Sequence, residues 1–326
     1  MNITPVTKQR IKSFLFSFFF LAPLLLFFSA CTDDDDFVAP AFLHIDAIDL
    51  IPPTSNAITL EDGFYTSDIV ACYVTVHYPG ASKVENLGLF QLPFSIPVLN
   101  DGPIDYIEVY PAVRQSGSSS KLPFYSFYKP IKIQKLSFDL HGTHYTDTLF
   151  TRSGDTLHLD TLYTTYNISL SDVSMYDLFE PTFSSTHFDS VTWVKHAPSE
   201  ACSGQGYALI HVPDSLSRVP FGIKDNFYIT DARRAVYLEL DSRSDIPFEI
   251  YMEAAYISGG NTDVQRVMVI NPSSEWRHIY VNLGRTWEYF NYNYPFRLSF
   301  AALNVYGETG DIRIDNVRLL STSITN

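Results

Sequence analysis

Short runs of alternating apolar and polar residues make up most of the chain, and they predict β-strands. Residues 42–50, 69–78 and 104–111 alternate in this way, and Pro52-Pro53 and Pro79-Gly80 end the first two runs. Val, Ile, Thr and Tyr recur in them, and no stretch of useful length shows the period of an amphipathic helix. Seven or so strands at this spacing between residues 41 and 168 predict a β-sandwich.

The pattern changes character after a boundary near residues 169–175. Longer alternating runs follow at residues 235–249, 276–284 and 310–319. In the first of them Val236, Leu238 and Leu240 alternate with polar or amphipathic residues, so one face is expected to be buried and the other to meet solvent or a ligand. The second half is therefore predicted to be a separate β-sandwich.

The order of these runs resembles the galactose-binding-like jelly roll found in many carbohydrate-binding modules. Its most specific part is the Ile-x-Ile-Asp-Asn-Val phrase at residues 312–317. The first half resembles the immunoglobulin-like or transthyretin-like modules that follow the lipid-anchored N-terminus of some bacterial lipoproteins. We therefore predict an all-β protein, with an immunoglobulin-like or transthyretin-like sandwich at residues 41–168 and a jelly roll at residues 176–326.

The N-terminal segment has the layout of a secretory signal. Three basic residues precede an apolar run at residues 14–28, and Ser29-Ala30 stands before Cys31. The competing interpretation is a transmembrane helix, but four aspartates follow at once where a retained span usually has basic anchors. Residues 28–31 resemble the lipobox of bacterial lipoproteins, with Phe28 in place of Leu. The resemblance implies removal of residues 1–30 and lipidation of Cys31, which would attach the protein to a membrane.

The acidic run Asp33 to Asp36 directly follows the cysteine. It resembles the surface-export signal of Bacteroidota-type lipoproteins, which implies an outer-membrane location facing the cell exterior. The alternative is a solvated, self-repelling tether, and both descriptions fit residues 31–40.

Composition excludes one class of partner. The chain has 22 Lys and Arg against 36 Asp and Glu, which gives a formal net charge of −14. Loss of the signal would remove three basic residues and no acidic ones, so the net charge would become more negative. Nucleic acid is therefore not expected as a partner, because its binding depends on Lys and Arg. Cys72 and Cys202 lie far apart and give no disulfide framework, and no Cys and His spacing indicates zinc.

A structural calcium is implied by the jelly-roll resemblance. Glu180 and Asp315 match the places where that family often holds the ion, and Asp311 or Asn316 would help to complete its oxygen shell. The alternative is that Asp315 and Asn316 make turn hydrogen bonds.

The richest candidate for sugar binding is the aromatic stretch at residues 287–294. Trp287, Tyr289, Tyr292 and Tyr294 offer rings for the apolar side of a pyranose, with carboxyl and amide groups between them. The alternative is that this stretch packs against the first domain. Trp276, in an alternating run, is expected in the core, and the sequence leaves Trp193 undecided.

No motif for catalysis is present. There is no Gly-x-Ser-x-Gly elbow and no His-Glu-x-x-His helix, and carboxylate pairs for a glycosidase are expected by chance in so acidic a chain. The sequence therefore predicts a non-catalytic, lipid-anchored surface protein that binds a glycan through its jelly roll. A structural subunit of an outer-membrane complex is the main alternative, and a glycoside hydrolase a remote one.

Overall fold

The computed structural model describes most of the chain from residue 40 onward. The described residues are 40–51, 66–80, 83–99, 104–117, 121–134, 137–140, 143–146, 156–167, 173–177, 183–184, 191–195, 200–202, 206–215, 218–223, 226–228, 235–255, 262–287, 289–290, 295–304 and 307–322. They confirm the predicted all-β class, because the only helix among them is the single turn α1 (Gly284–Trp287).

The first half forms a β-sandwich. Its strands are β1 (Ala41–Leu50), β2 (Ile69–His77), β3 (Val84–Gln91), β4 (Phe94–Val98), β5 (Tyr106–Val113), β6 (Ile131–Gln134), β7 (Ser137–Leu140), β8 (Thr143–Thr146) and β9 (Thr156–Thr164). One sheet has the order β4-β1-β9 and the other β3-β2-β5-β6, while β7 and β8 pair only with each other among the described strands. Alternate residues of β1, such as Leu43 and Ile45, enter the core between the two sheets, as its alternating sequence predicts.

The second half forms a larger β-sandwich. Its strands are β10 (Val173–Asp177), β11 (Phe183–Ser184), β12 (Val191–Lys195), β13 (Gly206–Val212), β14 (Arg218–Ile223), β15 (Val236–Ser244), β16 (Phe248–Ala255), β17 (Thr262–Ile270), β18 (Ser273–Asn282), β19 (Phe296–Leu303) and β20 (Gly310–Thr322). One sheet has the order β12-β13-β20-β15-β18, with β10 also on β20, and the other β11-β14-β19-β16-β17. Val236, Leu238 and Leu240 point into the core between these sheets, on the face that the sequence assigned to burial.

A third apolar cluster joins the two sandwiches. It combines residues of the first sandwich with residues on the outer face of the β15, β18 and β20 sheet. The cluster members are Leu50, Val113, Tyr125, Phe127, Tyr128, Tyr166, Tyr237, Tyr280 and Leu320. The face of the second sandwich that the alternation left open is thus partly covered by the first sandwich.

The predicted signal, Cys31 and the acidic run lie outside the described residues. Within the residues that are described, no helix has the length and apolar character needed to cross a membrane.

Candidate functional site

The outer face of the β15, β18 and β20 sheet carries a group of buried polar side chains, among them Glu239, Asp241 and Arg318. Because side chains alternate along a strand, burial of Leu238 and Leu240 in the core turns Glu239 and Asp241 to the opposite face. The strands β15 and β20 shift register between Glu239 and Asp241, and Asn316 near this shift has a positive φ of 48°. Asparagine tolerates this conformation better than most residues, which suits it to an irregular point in the sheet.

Tyrosines of the first sandwich form one side of the interface. The ring of Tyr125 packs edge-on against Tyr237 and Tyr280, with centroids 5.2 and 5.0 Å apart. The hydroxyls of Tyr128 and Tyr280 lie 2.9 Å apart, and the Asp68 N–H donates to Tyr280 Oη at 3.1 Å. Aromatic rings with one polar end suit such a junction, because they bury area and still satisfy their hydroxyls.

A buried ion pair lies at the centre of this interface. Glu239 and Arg318 are both fully buried, with Arg318 Nη1 3.5 Å from Glu239 Oε2. Glu239 also accepts hydrogen bonds from the hydroxyls of Tyr125 at 2.5 Å and Tyr166 at 2.6 Å. Burial, followed by the charge of Glu239, raises the pKa of Tyr125 well above its ordinary value, so this hydroxyl stays protonated and donates.

A second polar group surrounds Asp241. His278 Nδ1 lies 2.9 Å from Asp241 Oδ1, while Thr66 Oγ1 donates to Oδ2 at 2.5 Å and Asn316 Nδ2 donates to it at 2.7 Å. Burial alone would raise the pKa of Asp241. The charge and hydrogen bond of His278, with the hydrogen bonds of Thr66 and Asn316, outweigh it and lower that pKa. Asp241 is therefore held as a carboxylate.

An open cleft borders this polar face. It has a volume of about 630 Å³ and is lined by residues of both sandwiches. Its lining includes Asp68, Arg114, Asn271, Trp276, Arg277 and His278. A smaller cavity of about 480 Å³ shares Trp276 and His278 with the cleft and is also lined by Asp241, Cys202 and Tyr163.

Trp276 has the position of an aromatic binding residue in this cleft. Its indole is only partly buried, its Nε1–H donates to the Glu200 carbonyl at 2.9 Å, and its ring meets Tyr207 edge-on. Those two contacts fix the orientation of the ring. The prediction that Trp276 belongs to the core is wrong, because Ile279 and Val281 fill the core face of β18 and Trp276 lies on the other face with His278 and Tyr280.

The first sandwich completes one wall of the cleft. The chain that follows β5 pairs with β18, and the Ser116 N–H donates to the Tyr280 carbonyl at 2.7 Å. This pairing places Arg114 at the rim, where its Nη1 lies 3.5 Å from Asp68 Oδ2. Both side chains stay close to half exposed, so they can also face a bound molecule.

The structure separates the aromatic residues predicted to bind sugar. Trp287 is only 1% exposed and packs edge-on against Phe296 in the core of the second sandwich, so its assignment as a binding residue is wrong. The reason is local, because the turn of α1 directs its last side chain inward. Tyr289 is 78% exposed, while Tyr292 and Tyr294 lie outside the described residues.

The alternative, that the aromatic stretch at residues 287–294 packs against the first sandwich, does not hold for Trp287 and Phe290. Trp287 and Phe290 belong to the core of the second sandwich itself, not to the contact with the first. The aromatic residues that the second sandwich contributes to that contact are Tyr237 and Tyr280. Trp193 lies on β12, and its side chain is outside the described part of the protein.

Asp315 is arranged as a hydrogen-bond acceptor. Its Oδ1 accepts from the Asn316 N–H at 2.8 Å and its Oδ2 from the Cys202 N–H at 3.1 Å. These bonds agree with the alternative to calcium binding, in which Asp315 and Asn316 make hydrogen bonds with nearby backbone groups. Glu180 lies outside the described residues, and the calcium site stays a prediction.

Cys72 and Cys202 are free thiols. Burial raises the pKa of Cys72 to about 12. Burial and the neighbouring charges of Asp241 and Asp315 also raise the pKa of Cys202 far above its ordinary value. Neither thiol is a ready nucleophile, because the thiolate is the reactive form.

Comparisons with known proteins give structural neighbours only. No protein-family model and no curated protein matches the sequence. A family 29 carbohydrate-binding module is 16% identical, with 46% of this chain and 90% of that chain covered and a TM-score of 0.32. A family 29 module variant solved with mannohexaose is 15% identical, with 46% and 93% covered and a TM-score of 0.32.

A third similar structure is the family 30 carbohydrate-binding module of the cellulosomal cellulase Cel9D-Cel44B of Clostridium thermocellum. It is 14% identical, with 47% of this chain and 99% of that chain covered and a TM-score of 0.36. All three of these structures are carbohydrate-binding modules, at a level of likeness that does not identify a ligand.

Proposed function

We propose that this protein is a non-catalytic, lipid-anchored surface protein that binds a glycan in the cleft beside Trp276. The observation that carries the proposal is a partly exposed indole of fixed orientation in an open cleft with charged and amide side chains. The cleft volume of about 630 Å³ is within the usual range for small-ligand sites.

The cleft offers the two kinds of contact that a sugar needs. The apolar face of a pyranose ring would stack on Trp276, while Asp68, Arg114 and Asn271 would bond its hydroxyls. Arg114 and Asp68 hold each other only at 3.5 Å and remain partly exposed, so the loss of this pair on binding would cost little. The acidic chain favours a neutral or cationic glycan over a strongly anionic one.

The anchor is proposed from the sequence alone. Lipidation of Cys31 would hold the protein in the outer membrane, and the acidic residues after it would keep the sandwiches in water. Substitution of Cys31→Ser is expected to move the protein from the membrane fraction to the soluble fraction. A protein that stays in the membrane fraction would contradict this part of the proposal.

The state of Glu239 and Asp241, two acidic residues on the outer face of the β15 strand, supports binding without catalysis. Glu239 and Asp241 are both buried, and their oxygens already accept hydrogen bonds from Tyr125, Tyr166 and Thr66. A glycosidase instead needs two carboxyl groups that face each other across the bound sugar. Glu239 in particular serves the interface between the sandwiches.

A polysaccharide binding screen with the detergent-solubilised full chain tests the proposal. We expect saturable binding to at least one polysaccharide, and Trp276→Ala should weaken it by about 2 kcal/mol, or roughly 30-fold in Kd. The matched control is Tyr289→Ala, which removes an exposed aromatic ring outside the cleft and should leave the Kd unchanged.

Each other outcome has a defined meaning. Binding that is lost in Tyr289→Ala and kept in Trp276→Ala would move the site to the aromatic stretch that the sequence favoured. No binding to any polysaccharide would contradict glycan capture and favour the alternative role as an accessory subunit of an outer-membrane complex.

A further inference from the structure

The outer face of the β4-β1-β9 sheet carries a cluster of imidazoles and carboxylates. Strands β1 and β9 are parallel, with His44 directly beside His158. Asp46 and Asp160 each lie two residues farther along the same strands, so all four residues share one face of the sheet. The two imidazole rings stack, with centroids 4.3 Å apart and an interplanar angle of 14°.

The donor atoms of this cluster are close together. His44 Nε2 lies 3.0 Å from Asp46 Oδ1, and His158 Nδ1 lies 3.1 Å from Asp160 Oδ1. One donor atom each from His44, Asp46 and His158 lie within 4.8 Å of one another. Two ligands of one zinc ion, each about 2.0–2.1 Å from it, are themselves roughly 3 Å apart. The separation of His44 and Asp46 already has this value, and the exposed ring of His158 has room to rotate.

We propose that His44, Asp46 and His158 bind a divalent transition-metal ion such as Zn²⁺. Imidazole nitrogens with a carboxylate favour Zn²⁺, Ni²⁺ or Cu²⁺ over Ca²⁺ and Mg²⁺, which prefer oxygen ligands. Three protein ligands leave a further coordination position for water or for a ligand. The site lies on the first sandwich, and none of its residues lines the proposed glycan cleft.

Asp160 acts as a positioning residue in this site. Its carboxylate faces His158 Nδ1, which leaves Nε2 of the same ring for the ion. A carboxylate in this position fixes the tautomer and the orientation of a ligand histidine and makes the ring more basic.

The chain contains a matched pair that lacks the second imidazole. His211 Nδ1 lies 2.8 Å from Asp311 Oδ1 on the second sandwich, and its side chain is also exposed. Stacked histidines that only pair with their carboxylates would behave like this pair. A metal site requires both histidines of the β1 and β9 cluster.

Calorimetric titration of the metal-stripped full chain in detergent with Zn²⁺ tests the proposal. We expect one equivalent to bind, His44→Gln and His158→Gln each to abolish that binding, and Asp160→Asn to weaken it about 10- to 100-fold. The control His211→Gln should bind as the unchanged protein does. Titration with Co²⁺, followed by its visible absorption, should report nitrogen ligation in the unchanged protein and in His211→Gln, and not in His44→Gln or His158→Gln.

The result that overturns the proposal is equally direct. Absence of saturable Zn²⁺ binding would do so, and so would binding that survives both His44→Gln and His158→Gln. His44, His158 and Asp160 are on the outer face of the β4-β1-β9 sheet and His211 is exposed on the second sandwich, so thermal unfolding of each variant should match that of the unchanged protein. Loss of binding in His211→Gln to the same extent would also refute the site.

Discussion

The buried ion pair between the sandwiches gives a quantitative test of the interface. Substitution of Arg318→Met removes the cation and keeps most of the side-chain volume, so the main change is electrostatic. It leaves the carboxylate of Glu239 fully buried with its tyrosine hydrogen bonds and with His278 Nε2 at 3.8 Å. A buried charge that has lost its partner typically costs about 3–5 kcal/mol.

The hydrogen bonds that remain decide where in this range the effect should fall. Hydrogen bonds to a charged group are each worth roughly 1.5–3 kcal/mol, and Glu239 keeps those from Tyr125 and Tyr166. We therefore expect a loss of about 3 kcal/mol in the free energy of unfolding. Addition of Glu239→Gln should recover part of the loss, because the buried charge is then gone.

Urea unfolding followed by circular dichroism measures this free energy from the midpoint and the slope. The control is Arg313→Met, which breaks a more exposed pair with Asp311 at 3.1 Å and should cost no more than about 1 kcal/mol. If Arg318→Met costs no more than this control, or if adding Glu239→Gln makes it worse, the electrostatic account of the interface is refuted.

Three further predictions concern acid stability, the core and the thiols. The pKa of Asp241 is lowered in the folded protein, so the contribution of Asp241 to the free energy of unfolding is present above its ordinary pKa of 3.8 and is lost as the pH falls through the lowered pKa. Asp241→Asn should therefore flatten the fall in the free energy of unfolding that is measured below about pH 4. In thermal and urea unfolding, Trp287→Ala should cost about 3–5 kcal/mol and Tyr289→Ala no more than about 0.5 kcal/mol, and equal effects would contradict the burial of Trp287. Cys72 and Cys202 should resist alkylation at pH 8 and react in denaturant, as mass spectrometry would show, and rapid labelling of the folded protein would contradict their raised pKa values.

The sequence predicted the fold class because alternation is a local property. Residues 42–50, 69–78 and 235–249 give strands where the pattern places them, and the side chains of Val236, Leu238 and Leu240 fill a core. Alternation divides a strand into two faces. It does not say what covers the second face, which depends on a partner far away in the chain.

The candidate site shows this limit clearly. Trp276 shares its face of β18 with His278, and only the packing of the first sandwich makes that face the wall of a cleft. Trp287 stands in an aromatic stretch that resembles a binding surface, but one turn of helix directs it into the core. The partners Tyr125 and Glu239 are 114 residues apart, and no local pattern links them.

The interface between the sandwiches also determines how the protein responds to force. Glu239, Arg318, Tyr125 and Tyr166 contact one another through buried polar atoms, so water must solvate all of them together if the halves separate. The joint therefore resists gradual bending and gives way in a single step. A load applied to the second sandwich would therefore pass to the first sandwich through this joint, with its direction preserved.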